Sequence, residues 1–320
     1  MEFKRLSFKH KNNKFLYYFR NYLIAYFFSK KSEIQLQKKL DQLHTLDQNQ
    51  ILKRVNYYNK LDENINFKAK PTRLEQLKLR HINKAYYFDL FEYARYFNKK
   101  SEGHFLFGDI THIPDDPSLT KTRPIGENNQ FSILMKWNKI RHFTFVKKDK
   151  KFIDKKNLIV WRGKVHPSQP QRIQFLEKYH NHPLCNVGKV NHNSLNPIWT
   201  KPRLNISEQL QYKFILSIEG NDVASNLKWI MSSNSLAVMP KPKFESWFME
   251  GLLIPDYHFV EIKRDYSDLE EKLNYYIENP DKASLIISNA HKFISPFLNK
   301  ESEDLISLLV MKKYFEKTQQ

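Results

Sequence analysis

The sequence predicts an α/β protein whose second half builds a parallel sheet covered on both faces by helices. Strand-like and helix-like stretches alternate from residue 157 onward, and that alternation implies parallel strands joined by helical crossovers. Within "YKFILSIEGNDVASNLKWIMSSNSLAVMPKP" (212–242), an apolar run ends at Glu219-Gly220. The helical spacing of Val223, Leu227 and Ile230 follows, and Pro240 closes a second short apolar run. The 320 residues, 41% apolar and 14% aromatic, suffice for two domains of ordinary size with a real core.

Taken in order, the first element is "KFLYYFRNYLIAYFF" (14–28), an apolar helix with Leu16, Phe19, Leu23 and Phe27 on one face and lysines at both ends. Arg20 and Asn21 interrupt it, and it falls short of the ~20 apolar residues that a spanning helix needs. It either lies on an anionic lipid surface or packs on the protein's own core. An aromatic-rich helix covers "AYYFDLFEYARYF", from about 85 to 98, and "HFLFGD" (104–109) reads as a short buried strand ending at Gly108-Asp109. A polar loop with three prolines, "ITHIPDDPSLTKTRPIGENNQ", leads to a strand at "RHFTFV". The lysine-rich "KKDKKFIDKK" (147–156) marks a domain boundary, giving an N-terminal domain over 1–150 and a second domain over 151–300. In the second, "NLIVWRG" is a strand, "SQPQRIQFLEKYH" a helix, "LCNVGKV" a strand and "HFVEI" another. "SDLE" (267–270) is a capping box that opens a helix, and helices follow at 281–294 and 302–316. The last of these, within 301–320, is expected to pack back on the N-terminal domain.

Charge narrows the partners. Lys and Arg number 53 against 34 Asp and Glu, a formal charge of +19, which favours nucleic acid, an acidic membrane surface or phosphorylated substrates. A single cysteine, Cys185, excludes an intramolecular disulfide and a thiolate metal cluster, and fits a reducing compartment. The start "MEFKRLSFKHKNNK" lacks the apolar core of a signal peptide. Neither GxGxxG nor a Walker-type loop occurs among the seven glycines. No D-x-D triplet occurs, and the twelve histidines, "HNHP" included, show no ligand spacing, so no metal is expected.

In open parallel sheets, ligands sit beyond the carboxyl ends of strands. Two such ends favour anions. At the first, "EGNDVASNLKW", a helix start offers unpaired N–H groups and a positive dipole end, with Lys228 nearby. Plain capping by Asn221 or Asp222 is the competing reading. At the second, "VWRGKVHPSQPQR" (160–172), Arg162 and Gly163 follow directly on a strand and Arg172 lies at a helix start. Arginine forks suit diphosphate oxygens.

The segment "VASNLKWIMSSNSLAVMPKPKFESWFMEGLLIPDYHFVEIKRDYSDLEEKLNYYIENPDKASLIISNAHKFI" resembles the C-terminal block of the CAP10-type glycosyltransferases, family 90, and the likeness runs in order from about 155 to 298. It looks closest to the bacterial branch that extends lipopolysaccharide inner core. The resemblance implies a GT-B fold: two Rossmann-like domains with the reaction in the cleft between them, the second binding a UDP-sugar. Trp161, Arg162, Gly163 and Lys164 fall on or beside the family's Arg-Gly motif, and Arg172 on its following arginine. Asn221, Asp222, Val223, Ala224, Ser225 and Asn226 fall on its donor-binding loop. Glu245 matches a glutamate before an aromatic-Phe pair and is expected on the ribose. Family arginines are replaced by Asn226 and Val165, which leaves Lys164 and Lys228 as expected substitutes. "FLFGDITHIP" is similar to the segment that carries the catalytic base. This assigns Asp109, with Gly108 in place of an arginine; Asp115 and Asp116 are expected in a solvated, proline-braced turn.

The resulting expectation is an inverting, metal-independent hexosyltransferase, cytoplasmic and peripheral at the inner membrane. It would use a UDP-hexose (glucose or galactose) and a lipopolysaccharide core acceptor and meet an anionic membrane surface, with no nucleic acid. The alternatives are a basic nucleic-acid-binding protein, suggested by the charge, and a non-catalytic sugar-nucleotide-binding homologue.

Overall fold

In the computed structural model, which describes residues 10–27 and 33–319, the chain divides into two units. The N-terminal unit comprises Asn13–Arg141, Lys243–Gly251 and Pro296–Gln320. The C-terminal unit comprises His142–Pro242 and Leu252–Ser295 with the described part of Met1–Asn12. Most of the stretch read for a signal peptide (residues 1–9), Phe28 of the expected first helix, and Gln320 lie outside the described residues.

The N-terminal unit begins with helices α1 (Lys14–Phe27), α2 (Glu33–Leu40) and α3 (Gln48–Tyr58). Strand β1 (Thr72–Arg73), helix α4 (Lys84–Ala94), and strands β2 (Glu102–Leu106), β3 (Ser118–Thr120), β4 (Thr122–Pro124) and β5 (Ser132–Leu134) follow. β2, β3 and β5 run parallel, and β1 adds antiparallel to β2. The loop expected over 110–130 therefore contains two strands. Its residues Ser118, Thr120, Lys121, Thr122 and Arg123 are buried, and a buried polar strand shows no apolar alternation to mark it. Asp116 is not in a solvated turn either. It is buried and accepts the backbone N–H groups of Lys68 (2.8 Å) and Ala69 (2.9 Å). Burial opposes ionisation, but these two bonds prevail and lower its pKa. Asp115 is exposed.

The strand expected at 141–146 is absent: α5 (Lys139–His142) ends there and irregular backbone follows. Side chains satisfy that backbone instead, with Asn12 Nδ2 donating to Phe143 O (3.1 Å) and Val146 N–H donating to Ser232 Oγ (2.8 Å). The lysine-rich stretch after it is folded too. Phe152 and Lys155 are buried, and the Lys155 ammonium bonds Asp149 (2.6 Å), Leu210 O (2.9 Å) and Ser235 Oγ (2.7 Å).

The C-terminal unit continues with β6 (Lys156–Gly163), α6 (Pro170–Tyr179), β7 (Cys185–Lys189), α7 (Ile206–Gln209), β8 (Tyr212–Leu216), α8 (Leu227–Met231) and β9 (Leu236–Met239). After β10 (Phe244–Ser246), which belongs to the N-terminal unit and pairs antiparallel with β4, come β11 (Val260–Glu261), α9 (Leu269–Glu278) and α10 (Pro280–Ile294). The five strands of the C-terminal unit are all parallel, in the order β11-β9-β8-β6-β7. Every residue of β8 and β9 is buried, so both faces of the sheet are covered, because alternate side chains point to opposite faces. Helix α6 packs on β7, α9 on β6, and α8 and α10 on β9. The apolar faces of α6, α9 and α10 meet Val187, Phe214, Leu216 and Val238 in one core.

Two expected caps differ. Ser267 donates to Asp265 Oδ1 (2.9 Å) rather than capping α9, whose N-cap is Asp268. Helix α8 spans only five residues and starts after Asn226, so neither Asn221 nor Asp222 caps it. The final helix, α11 (Lys300–Thr318), packs on α3, α4 and β2 in the N-terminal unit.

Candidate active site

The strand order fixes where a ligand can enter the C-terminal sheet. From β6 the chain moves to β7 on one side, then returns to β8 on the other. Loops leaving neighbouring strands in opposite directions open a crevice at their carboxyl ends. That switch point lies between Gly163 at the end of β6 and Leu216 at the end of β8, the two strand ends that the sequence marked as anion-favouring.

Side chains from the start of α6 tie these ends together. Arg172 donates to Lys164 O (2.6 Å), Ile218 O (3.0 Å) and Glu219 O (3.1 Å). Gln171 Nε2 donates to Glu219 O (3.0 Å) and Gly220 O (2.8 Å), and Gln169 Nε2 to Asn221 Oδ1 (3.3 Å). Gly220 suits this closeness, since a Cβ there would sit 3.1 Å from the Arg172 guanidinium, which would have to give way by a few tenths of an ångström. Gly163 is required more strictly, because its Cβ would lie 2.3 Å from the Trp161 ring. The Arg172 guanidinium lies 5.5 Å from the centroid of that same ring. Asn226 fastens the loop to its own strand, donating to Leu216 O (2.9 Å) and accepting from Ser217 Oγ (3.1 Å).

Arg162 is committed elsewhere in this arrangement. Its guanidinium donates to Pro202 O, Trp161 O, Asn186 O and Asn186 Oδ1, at 2.7–2.9 Å. It holds β6 to β7 and to the loop after it, and burial pulls its pKa down. Among the expected donor contacts, Lys164 and Asn221 are exposed, and Arg162, Gly163, Arg172, Ser225 and Asn226 are half-buried. Trp161, Asp222, Val223, Ala224 and Lys228 have their side chains inside the unit, where they anchor the crevice wall. Lys228 is fully buried, with its ammonium 5.9 Å from the centroid of the Phe143 ring, so it is not the open charge expected from the sequence. The five-residue α8 also supplies little dipole. The ten-residue α6, starting at Pro170, is the helix whose N-terminus faces the crevice.

Two expected site residues lie in the N-terminal unit. Asp109 follows β2, just after Gly108, whose φ of +113° suits a residue without Cβ. Its carboxylate is 36% exposed and accepts from the buried Lys121 ammonium at 2.6 Å. Glu245, expected on the ribose, sits on β10, opposite Arg123 of β4. Arg123 Nε donates to its Oε1 (2.7 Å), Tyr57 donates to its Oε2, and the carboxylate is buried. Burial, then the Glu245 charge, raises the Tyr57 pKa, which keeps that hydroxyl a donor.

Sequence reading overlooked Gln169, Gln171 and Lys121. The amides of "SQPQR" stand at the start of a helix beside a strand-end arginine, and that placement is the signal that could have found them. Lys121 lies inside a segment read as loop and carried no signal. No group of three His, Cys, Asp or Glu residues that could hold a metal ion occurs among the described residues.

A parallel sheet covered on both faces, with Arg172 and the Gln169 and Gln171 amides tying together the strand ends at its switch point, defines an α/β protein. Comparison with known proteins makes this specific. The chain matches Glycosyl transferase family 90 over residues 130–316. It is 43% identical over 262 residues to O-glucosyltransferase LpsA of Dichelobacter nodosus, covering 82% of this chain and 81% of that protein. It is also 29% identical over 108 residues to human Protein O-glucosyltransferase 3, covering 33% of this chain and 21% of that one. The chain belongs to glycosyltransferase family 90 and is a transferase enzyme.

Proposed function

We propose that the chain is an inverting hexosyltransferase. It moves glucose or galactose from a UDP-sugar to a lipopolysaccharide inner-core acceptor, with Asp109 as general base. The reading includes the GT-B organisation that the family resemblance implies, metal independence, and work at the cytoplasmic face of the inner membrane. The observation that carries it is the switch-point crevice between β6 and β8, with the helix α6 N-terminus and Lys164 at its mouth. The relatedness over four-fifths of an O-glucosyltransferase supports the reaction class.

In this mechanism, the acceptor hydroxyl oxygen attacks the anomeric carbon as the bond from that carbon to the UDP oxygen breaks. The hydroxyl proton passes to the Asp109 carboxylate, which Lys121 orients from 2.6 Å. UDP leaves as an anion, stabilised by Lys164, the loop over 220–226 and the start of α6. Arg172, Gln169 and Gln171 hold that loop against the end of β6, and Arg162 steadies β6 from behind. Glu245 is left out of the donor set, since Arg123 and Tyr57 occupy its two oxygens.

The test is Asp109→Asn, scored by UDP release with a deep-core acceptor and by UDP affinity. A general base contributes about 10²–10⁴-fold, so turnover should fall by that factor while UDP binding is kept. Unchanged turnover would remove Asp109 from the mechanism. No release from any UDP-hexose by the unaltered chain would overturn the whole reading.

A further inference from the structure

Helix α1 has two unlike faces. The inner face packs on α4: the Tyr17 hydroxyl donates to Asp89 Oδ1 (2.7 Å), and the Tyr22 and Tyr18 rings lie 4.9 and 6.2 Å from Phe88. Asn21, the polar interruption noticed in the sequence, is buried on this side and donates back to Tyr17 O (2.8 Å). On the outer face, Phe15, Leu16, Phe19, Leu23, Tyr26 and Phe27 are 39–77% exposed. At 100° per residue these six fall within an arc of about 120°. An amphipathic helix of a water-facing surface shows the reverse, with its apolar arc inward. A contiguous apolar patch of this kind, left open in a folded unit, marks an interaction surface.

The sequence on either side of the helix says what covers it. Residues 1–40 hold ten Lys and Arg (4, 5, 9, 11, 14, 20, 30, 31, 38 and 39) against two Glu (2 and 33), a net +8 of the chain's +19. A second copy seated on this face would bring like charge onto like charge, whereas an anionic bilayer neutralises it. A second feature adjoins the same helix. A groove of about 610 Å³ is lined by Ala25 of α1 and by apolar residues that include Phe91 and Phe97, and its exposed charged residues are Lys78, Lys99 and Lys100 against Glu75. It repeats the pairing of apolar surface with a net positive charge that suits lipid. No helix among the described residues is long and apolar enough to cross a membrane, so α1 would lie in the interface.

We infer that the outer face of α1 is the surface by which this protein docks on an anionic bilayer, with its aromatic side chains among the acyl chains and the flanking lysines on the headgroups. The inference rests on the proposed lipid-linked acceptor only for its purpose; the surface itself is tested without transfer.

The full chain is floated with phosphatidylcholine vesicles and with vesicles containing phosphatidylglycerol. The comparison is a variant combining Phe19→Ser, Leu23→Ser and Phe27→Ser, all exposed positions. Binding should favour the anionic vesicles, weaken with salt, and fall ~10-fold or more in the variant, with sedimentation and circular dichroism unchanged. UDP release onto a lipid-free acceptor should not change. Equal binding by the variant, or no preference for anionic vesicles, overturns the inference. So does a dimer that the three substitutions dissociate, which would give the face to a second copy. Vesicle binding without any transfer would sink the proposed function and leave this surface standing; transfer without vesicle binding would do the opposite.

Discussion

Lys155 shows how a single side chain can reverse its apparent role. In the sequence it is one lysine of "KKDKKFIDKK", read as a domain boundary; in the fold it has no exposed side-chain surface and pairs with the nearly buried Asp149. Burial pushes its pKa down from 10.5 to about 8, with Asp149 opposing the fall. The unfolded chain therefore binds more protons than the folded one between about pH 8 and 10.5, and stability rises with pH across that window. At 1.36 kcal/mol per unit, the rise is roughly 3 kcal/mol. Lys155→Met removes this dependence and adds a constant loss, since Asp149 stays buried without its cation. Urea titrations of both proteins at several pH values should show their stability difference widening from pH ~8 to ~10.5. A flat difference would mean that Lys155 titrates normally.

Among the elements, β4 and β10 show what the sequence could not show. The parallel strands of the C-terminal unit were legible because β6, β8 and β9 are apolar runs buried on both faces. Helices α4, α6, α9, α10 and α11 announced themselves by spacing and length. β4 is "TRP", and its chemistry lies in Arg123, which pairs with a residue 122 positions away. No local pattern encodes that contact. The same limit applied to the site. Strand ends and cationic residues could be read, but not that Lys228 turns inward or that Arg162 serves Asn186. Arg123 also donates to Ser132 O (3.1 Å) and Tyr57 O (2.8 Å), so it links β4, β5, β10 and the end of α3. Breaking a buried pair by removing one partner costs about 3–5 kcal/mol, and Glu245→Ala should lower stability by that order. UDP affinity of the folded protein should be unchanged. If stability were kept and UDP affinity fell instead, Glu245 would be the ribose ligand that the family resemblance implied, and its pairing with Arg123 would be secondary.

At the scale of the whole molecule, chain order and spatial grouping disagree. The N-terminal unit is assembled from Asn13–Arg141, Lys243–Gly251 and Pro296–Gln320, so a cut near residue 150 does not separate two folding units. The late segments supply much of its interior. Trp247 stacks on Tyr58 at 3.9 Å and donates to Glu303 Oε2 (2.8 Å). Tyr314 donates to Pro117 O (2.9 Å) and accepts from His104 N–H (2.8 Å), and Gly103 must lack a Cβ because one would lie 2.7 Å from that ring. Along α11, Leu305, Ile306, Leu308, Val310, Met311 and Tyr314 are at most 2% exposed. At roughly 1.5–3 kcal/mol for each buried apolar side chain, they represent ~10 kcal/mol, as much as the whole stability of an ordinary domain. A chain ending at Ser295 should therefore lose the cooperative unfolding of the N-terminal unit, although it keeps the whole of that unit's first two segments. The probe is intrinsic fluorescence, since Trp137 and Trp247 are both fully buried in that unit. In the truncated chain their emission should already be shifted to the red without denaturant. A truncated chain that kept a blue-shifted emission and the full-length urea midpoint would show that α11 covers a core already complete, and the three-segment account of this unit would have to be given up.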